Sequence, residues 1–513
     1  MNPPPPRVKT PEWVKDAVFY QIFPDTFARS ERVPKPAGLE PWDAPPSVHG
    51  YKGGDLPGIV EHLVDLVDLG ANALYLCPIF QSAANHRYHT YDYYQVDPML
   101  GGNASLRELL DQAHARGVRI VLDGVFNHAS RGFFQFHDIL ENGLQSAYVD
   151  WFVIKDRSKP LDPYDARAIA RGKPKWETNY QCWWDMPALP EFNTNHPQVR
   201  AFLLDVAAHW VAFGIDGWRL DVPECIDDEL FWQEFRRRVK AVNPEAYLVG
   251  EIWHPAPAWL AGDRFDALMN YVFNRAVQCF FGGPRLDTRA CPGGFQLQPI
   301  RAQAFARQVD EMMALYDWEV TLAQLNLLGS HDTPRILSIL GEDQARLKLA
   351  VLCQMTFPGA PCIYYGDEVG MRSVPVAGHE GRATMSWARD SWDMDLRDTF
   401  KRYIALRKAH PALRRGTFTS LYASDRSNVY AFMRQWEGET IVVVFNNGAE
   451  PYQVRVPVDG RLAEGTELVD QLGGEEGKKG KGGKGEESRY VVEGGQIRGG
   501  EMAPCSGVVL LAR

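Results

Sequence analysis

RIVLDGVFNH (119–128) carries a short, continuous apolar run that ends in Asp123, Asn127 and His128. A run without polar alternation suits a strand buried on both faces, as in a parallel sheet. By the two-residue period of a strand, Asp123, Val125 and Asn127 share one face, with His128 just beyond. Short apolar runs of this kind recur along the chain. Before RIVLDGVFNH lie VFYQIF (18–23) and ALYLCPI (73–79). After it come GWRLDV (217–222), AYLVGEIW (246–253), ALMNYVF (267–273), QLNLLGS (324–330) and PCIYYGD (361–367).

Eight such runs alternating with amphipathic stretches predict an α/β fold, a (β/α)8 TIM barrel. Ile59, Leu63, Leu66 and Val67 form one helical stripe before Gly70, and Leu106, Leu109, Leu110 and Ala113 another before Gly117. Asp227 and Asp228 open a third helix, with Phe231, Phe235 and Val239 on one face. About 65 residues separate the third strand from the helix starting near His196, far more than a βα loop needs. This span, rich in Trp, Tyr and Asp, reads as an inserted domain after strand 3. Beyond about residue 413, VYAFMRQ (429–435) and TIVVVFNN (440–447) predict a C-terminal antiparallel β-sandwich. The expected organisation is therefore barrel over 1–128, insertion over 129–193, barrel again over 194–413, and β-sandwich over 414–513. KKGKGGKGEES (478–488) reads as a solvated loop rather than a basic binding patch.

Composition narrows the function. A net charge of −10 over 513 residues gives no basic footprint for nucleic acid. No apolar run approaches a membrane span, and MNPPPPRVKTPEW lacks the apolar core of a secretory leader, so the expectation is a cytoplasmic protein. Eight scattered cysteines without a CxxC pair argue against a zinc ribbon or a disulfide framework. The aromatic load of 15 Trp, 20 Tyr and 25 Phe fits either large cores or sugar-binding faces.

Chemistry gathers at the strand tips, where this fold places its active sites. In DGWRLDVPEC (216–225), Arg219 and Asp221 share a face, and an arginine there would hold the carboxylate ionised, as a nucleophile requires. In LVGEIWH (248–254), Glu251 is flanked by Trp253, and apolar surroundings raise a carboxyl pKa toward that of a proton donor. In LLGSHDTPR (327–335), His331 and Asp332 end a strand, with Arg335 nearby. A single such carboxylate is more often a helix cap or an ion-pair partner. Four motifs converging on one barrel mouth are hard to attribute to coincidence.

On DGVFNH (123–128), GWRLD (217–221), GEIWH (250–254) and GSHDTPR (329–335), in that order and spacing, the chain resembles the α-amylase family of glycoside hydrolases, family 13. The resemblance implies Asp221 as nucleophile, Glu251 as general acid/base and Asp332 as a third carboxylate that binds sugar hydroxyls. It implies further that Arg219, His128 and His331 hold the sugar before the scissile bond. Tyr88, in NHRYHTYDYY (85–94), would stack on that sugar, and Asp123 would support the site from beneath. Trp253 and Arg335 complete the expected substrate-binding set. A retaining mechanism needs its two carboxyl groups about 5–5.5 Å apart, which neighbouring strands can supply.

FYQIFPDTFARS (19–30), YKGGDLPGI (51–59) and GEIWHPAPAWLAGDRFDALMNY (250–271) are most similar to the neopullulanase, cyclomaltodextrinase and maltogenic amylase group. That group commonly carries a β-domain ahead of the barrel, whereas here the barrel begins almost at once, which implies a monomer with an open cleft. MPALPEFN (186–193) is a variant of the group's signature. Its Glu191 reads as a solvated loop charge, with a cleft-facing role in linkage preference as the alternative. Glu224 and Cys225 stand where many relatives have Lys and His, which removes support for an inter-domain calcium. Gly53 and Asp55 match half of a second calcium loop, but ARSERVPKP (28–36) has no Asn or Asp cluster. The expectation is thus no cofactor and no metal ligands, with an α-glucan oligo- or polysaccharide as partner. Transferases or isomerases on the same scaffold are the rival enzymes, and a non-catalytic glycan-binding homologue is the rival of another class.

Overall fold

A computed structural model describes residues 8–159, 178–458, 460–473 and 489–513. Its centre is a closed parallel sheet of eight strands: β1 (Phe19–Ile22), β2 (Ala73–Leu76), β5 (Arg119–Gly124), β6 (Gly217–Leu220), β7 (Tyr247–Gly250), β8 (Ala267–Leu268), β9 (Leu325–Leu327) and β10 (Ala360–Tyr364). A short antiparallel pair, β3 (Phe80–Ser82) and β4 (Thr90–Val96), follows β2 and carries Tyr88 in its turn. The order β8-β7-β6-β5-β2-β1-β10-β9 is closed by a parallel bridge from Met269 to Leu325. The expected barrel is therefore present, with all eight strands where the apolar runs fall.

Alternation along each strand divides the core in two. Phe19, Tyr75, Val121, Tyr247 and Leu325 pack inside the barrel. Tyr20, Leu74, Ile120, Trp218 and Leu248 belong to the cluster shared with the surrounding helices. Gly217 lets β6 approach β7, since a Cβ there would meet the Tyr247 carbonyl oxygen at 2.2 Å.

Two local expectations are corrected. ALMNYVF is strand for two residues only, because the Asn270 side chain accepts from the Phe273 amide and starts a helix, Tyr271–Gly282. The stripe before Gly70 breaks at His62 into Leu56–Glu61 and Leu63–Leu69, and Val67 is exposed. Gly70 does end the second piece, at φ 107°. The helix capped by Asp228 buries Phe231, Phe235 and Val239 as expected.

After β5 the chain forms a helix, Phe134–Asn142, and a ribbon of antiparallel bridges, Phe152–Phe192, Ile154–Tyr180 and Cys182–Pro190. Phe136 packs against Phe152 and Tyr180, so part of the aromatic load is core. The basic run 478–488 lies outside the described residues. No helix among the described residues is long and apolar enough to cross a membrane.

The C-terminal part is one eight-stranded antiparallel sheet, β11 (Thr417–Ser424) to β18 (Ser506–Ala512). Val429 and Met433 of β12 (Val429–Trp436) share a core with Val454 and Val456 of β14 (Tyr452–Pro457), far along the strand order. The sheet thus folds over on itself as a sandwich.

Its opposite face, through Tyr430, Phe432, Val443 and Phe445, joins the barrel's helical layer. One buried arginine bridges this joint, and a second braces the barrel side of it. Arg407 donates to the carbonyls of Met355, Phe357, Leu413 and Gly359 at 2.6–3.1 Å. Arg434 donates to those of Thr417, Thr356, Leu413 and Gly416 at 2.8–3.0 Å. Removing one guanidinium strands several buried acceptors, each worth about 1–3 kcal/mol. Arg434→Met should therefore lower unfolding free energy by roughly 2–4 kcal/mol, read as a lower urea midpoint. An unchanged midpoint would mean that the joint is held by apolar packing alone.

Candidate active site

The site is built from the tips of β5, β6, β7 and β9 around one guanidinium. Arg219 is fully buried, and its Nη1 donates to Asp123 Oδ1 at 2.8 Å and Asp221 Oδ1 at 2.9 Å. Its Nη2 lies 2.9 Å from Glu251 Oε2. Strand register explains the grouping. Asp123 pairs with Arg219 across β5 and β6, and Arg219 with Val249 across β6 and β7. Asp221 and Glu251 therefore leave adjacent strands toward the same cation.

Arg219 does reach Asp221, but not Asp221 alone. One positive charge serves three buried carboxylates, and burial pushes Asp221 up, with Arg219 opposing and Glu251 repelling. Glu251 is also raised, by burial first, against Arg219. Neighbouring carboxylates that share one cation titrate as a pair, which keeps a proton in the site to higher pH. Glu251 is not in an apolar pocket. Its Oε2 accepts from the Val222 amide at 3.1 Å and its Oε1 from Trp253 Nε1 at 3.1 Å.

Val222 has φ 35° and ψ 51°, an unusual conformation for a β-branched residue. That backbone aims the amide following Asp221 at Glu251. Trp253 in turn stacks on Tyr271, with ring centroids 3.4 Å apart, so it orients Glu251 rather than offering a bare platform.

Asp123 is the hub beneath. Its Oδ2 accepts from Tyr75 Oη at 2.6 Å and from Tyr88 Oη at 2.8 Å. Tyr88 lies parallel to His331, at 3° and 5.5 Å, and remains half-buried. With the Gln21 amide donating to His331 Nδ1 at 2.9 Å, the ring proton sits on Nε2, beside Tyr88 Oη and 3.1 Å from Asp332 Oδ2. Burial holds His331 well below the usual histidine range and His128 down to about 3, so both are neutral. Asp332 stands at the open edge, its Oδ1 accepting from Arg382 Nη2 at 3.1 Å.

Asp123, His128, Arg219, Asp221, Glu251, Trp253, His331, Asp332 and Tyr88 thus converge. Arg335 does not. It is buried, lies over Tyr364 and Tyr365, and pairs with Asp367 Oδ1 at 3.1 Å. Glu191 is half-buried against Asn127 and Gln181, with its pKa raised by burial, and is no solvated loop charge. Sequence reasoning missed Gln21, Tyr75 and Arg382. The first two are polar residues on inward-facing strand positions, a readable signal, while Arg382 sits in a loop without a motif.

A family model for the α-amylase catalytic domain matches residues 21–405, and one for the maltogenic amylase C-terminal domain matches 418–483. The chain belongs to the α-amylase family of glycoside hydrolases. It is 41% identical to a cyclomaltodextrinase of Geobacillus thermopakistaniensis, over 91% of this chain and 74% of that one. The crystal structure of Ttha1563 from Thermus thermophilus matches with TM-score 0.88 and 45% identity, covering 97% and 99% of the two chains. A debranching enzyme from Nostoc punctiforme in native form matches with TM-score 0.84 and 44% identity, over 98% and 99%.

The residues do not fit the calcium loop that some family members carry beside the GGD turn. Asp55 accepts from the amides of Gly58 and Ser30 and from Lys35 Nζ at 2.9 Å, so donors surround its carboxylate. Cys77, Asp123 and His331 lie within ligand range of one another, but Asp123 is already held by two tyrosines and a guanidinium.

Just after β10, Glu368 accepts from Tyr20 Oη at 2.8 Å, and burial pushes its pKa up to about 7 from 4.5. A folded-state pKa raised above the unfolded value means that the native state holds the proton longer, so stability is lost as pH rises from about 4.5 through 7. The loss attributable to Glu368 is about 3 kcal/mol. Glu368→Gln should flatten the decline in urea midpoint between about pH 5 and pH 8. An equally steep decline in the variant would assign it elsewhere.

Proposed function

We propose that this protein is a retaining α-glucan hydrolase that cleaves α-1,4-glucosidic bonds in maltooligosaccharides, starch and cyclodextrins. The observation that carries the reading is the shared guanidinium, which brings Asp221 and Glu251 from adjacent strands to one point at the barrel mouth. Asp221 Oδ1 is tied to Arg219, leaving Oδ2 to attack the anomeric carbon. Glu251 protonates the departing glycosidic oxygen as that bond breaks, and the covalent glycosyl-enzyme forms with inversion. Glu251, now ionised, takes a proton from water as the water oxygen attacks the same carbon and Asp221 leaves. The second inversion restores the α configuration. Asp332, at the open edge and fixed by Arg382 and His331, accepts from sugar hydroxyls, and Tyr88 packs on the ring.

The relatives support this substrate class: one is a cyclomaltodextrinase, another a debranching enzyme. The latter makes α-1,6 cleavage in pullulan a further candidate activity.

Products from cyclodextrin, starch and pullulan, separated by chromatography, rank the substrates, and the anomeric form of the first product reports the mechanism by NMR. The expected outcome is α-configured maltooligosaccharides. Asp221→Asn and Glu251→Gln should each lose at least about 1000-fold in kcat. A β-configured first product or an active Asp221→Asn protein would refute the mechanism. Longer oligomers accumulating from maltotriose would assign a transferase instead.

A further inference from the structure

From His128 of the catalytic cluster, two indoles of the inserted segment extend a ladder of three flat rings. His128, at the site, stacks on Trp183 at 5.4 Å and 25°. Trp183 stacks on Trp184 at 4.7 Å and 4°. The ladder ends in solvent, because Trp184 is 79% exposed, above every other exposed large apolar side chain among the described residues.

Exposure of an indole is costly, and here it is joined by backbone strain. Trp184 sits at φ 52°, ψ 33°, and Asp185 at φ 55°, two successive non-glycine residues in the left-handed region. The tip is nevertheless fixed. Trp183 N donates to the Leu189 carbonyl at 3.1 Å, Met186 N to the Trp183 carbonyl at 3.0 Å, and Tyr180 Oη to the Pro187 carbonyl at 2.6 Å. A loop free to relax would turn the indole inward. This one is pinned with the ring outward, and its inner face is already satisfied by Trp183.

We propose that the outer face of Trp184 is a remote glucan subsite, on which a glucosyl unit beyond the catalytic pocket packs its C–H face. This rests on the α-glucan reading above and specifies its preference for longer chains. A pyranose presents apolar C–H groups on its faces and hydroxyls around its rim, so a rigid exposed indole buries the first and leaves the second in water. Continuity with His128 fixes the direction. The platform lies two stacking steps, 5.4 and 4.7 Å, outward from His128, where a chain that continues past the pocket meets it.

The test is calorimetric binding of maltoheptaose and of maltose to the Asp221→Asn protein, with and without a change at Trp184. Trp184→Gly suits the left-handed backbone and keeps the loop shape, while Trp184→Tyr keeps an aromatic face. The glycine variant should weaken maltoheptaose binding about tenfold and maltose binding by less than half as much, with tyrosine restoring most of the difference. Equal weakening for both sugars, no weakening for maltoheptaose, or a tyrosine variant as poor as glycine would overturn the subsite. Binding is read without turnover, so this outcome is separate from the hydrolase reading, which fails if the unmodified enzyme releases no p-nitrophenol from p-nitrophenyl α-maltoside.

Discussion

A buried cation with three anions around it sets the terms for the whole barrel mouth. Arg219 cannot lose its proton and is excluded from solvent, so it must be neutralised from within. Asp123, Asp221 and Glu251 do this together, which leaves excess negative charge in a dry place. The surrounding hydroxyls and amides, from Tyr75, Tyr88, Val222 and Trp253, are the response to that excess. Each places a donor on a carboxylate oxygen, and each comes from a different strand tip or loop. Displacing one carboxylate would shift charge onto the others, so the catalytic geometry and the local electrostatics are one constraint.

Much of this is legible in the amino-acid sequence. The eight apolar runs marked the barrel because both faces of a parallel strand are buried, and the strand tips marked the site because the fold delivers them to one end. Where reading failed, a local rule was overruled by context. Asn270 converted the second half of a strand-like run into a helix by capping it. Arg335 follows the GSHDTP run closely, yet its side chain turns away from the carboxylates toward Asp367 and two tyrosine rings at the end of β10. A motif fixes where a backbone goes, and not which way a long side chain leaves it. Arg382 was invisible because loops converge on a site without periodicity.

The aromatic surplus resolves into two uses that composition could not separate. Phe136, Phe152, Tyr180 and Phe192 supply core to a segment with little regular structure of its own. Trp183 and Trp184 continue that packing outward from the site into water. Both uses follow from one property of flat rings, which bury large area with few torsions to freeze.

The joint between barrel and C-terminal sheet has a different logic. Arg434 reaches across from the sheet and reads only main-chain carbonyls, which every residue type supplies, and Arg407 holds the same stretch of barrel backbone from the other side. The residues that present those oxygens are free to drift in identity as long as the backbone keeps its path. A guanidinium that needs only a backbone path can fix the pose of the two modules, while the apolar face of Tyr430, Phe432 and Phe445 supplies the buried area. That part of the fastening is keyed to the shape of the main chain rather than to the side chains it carries.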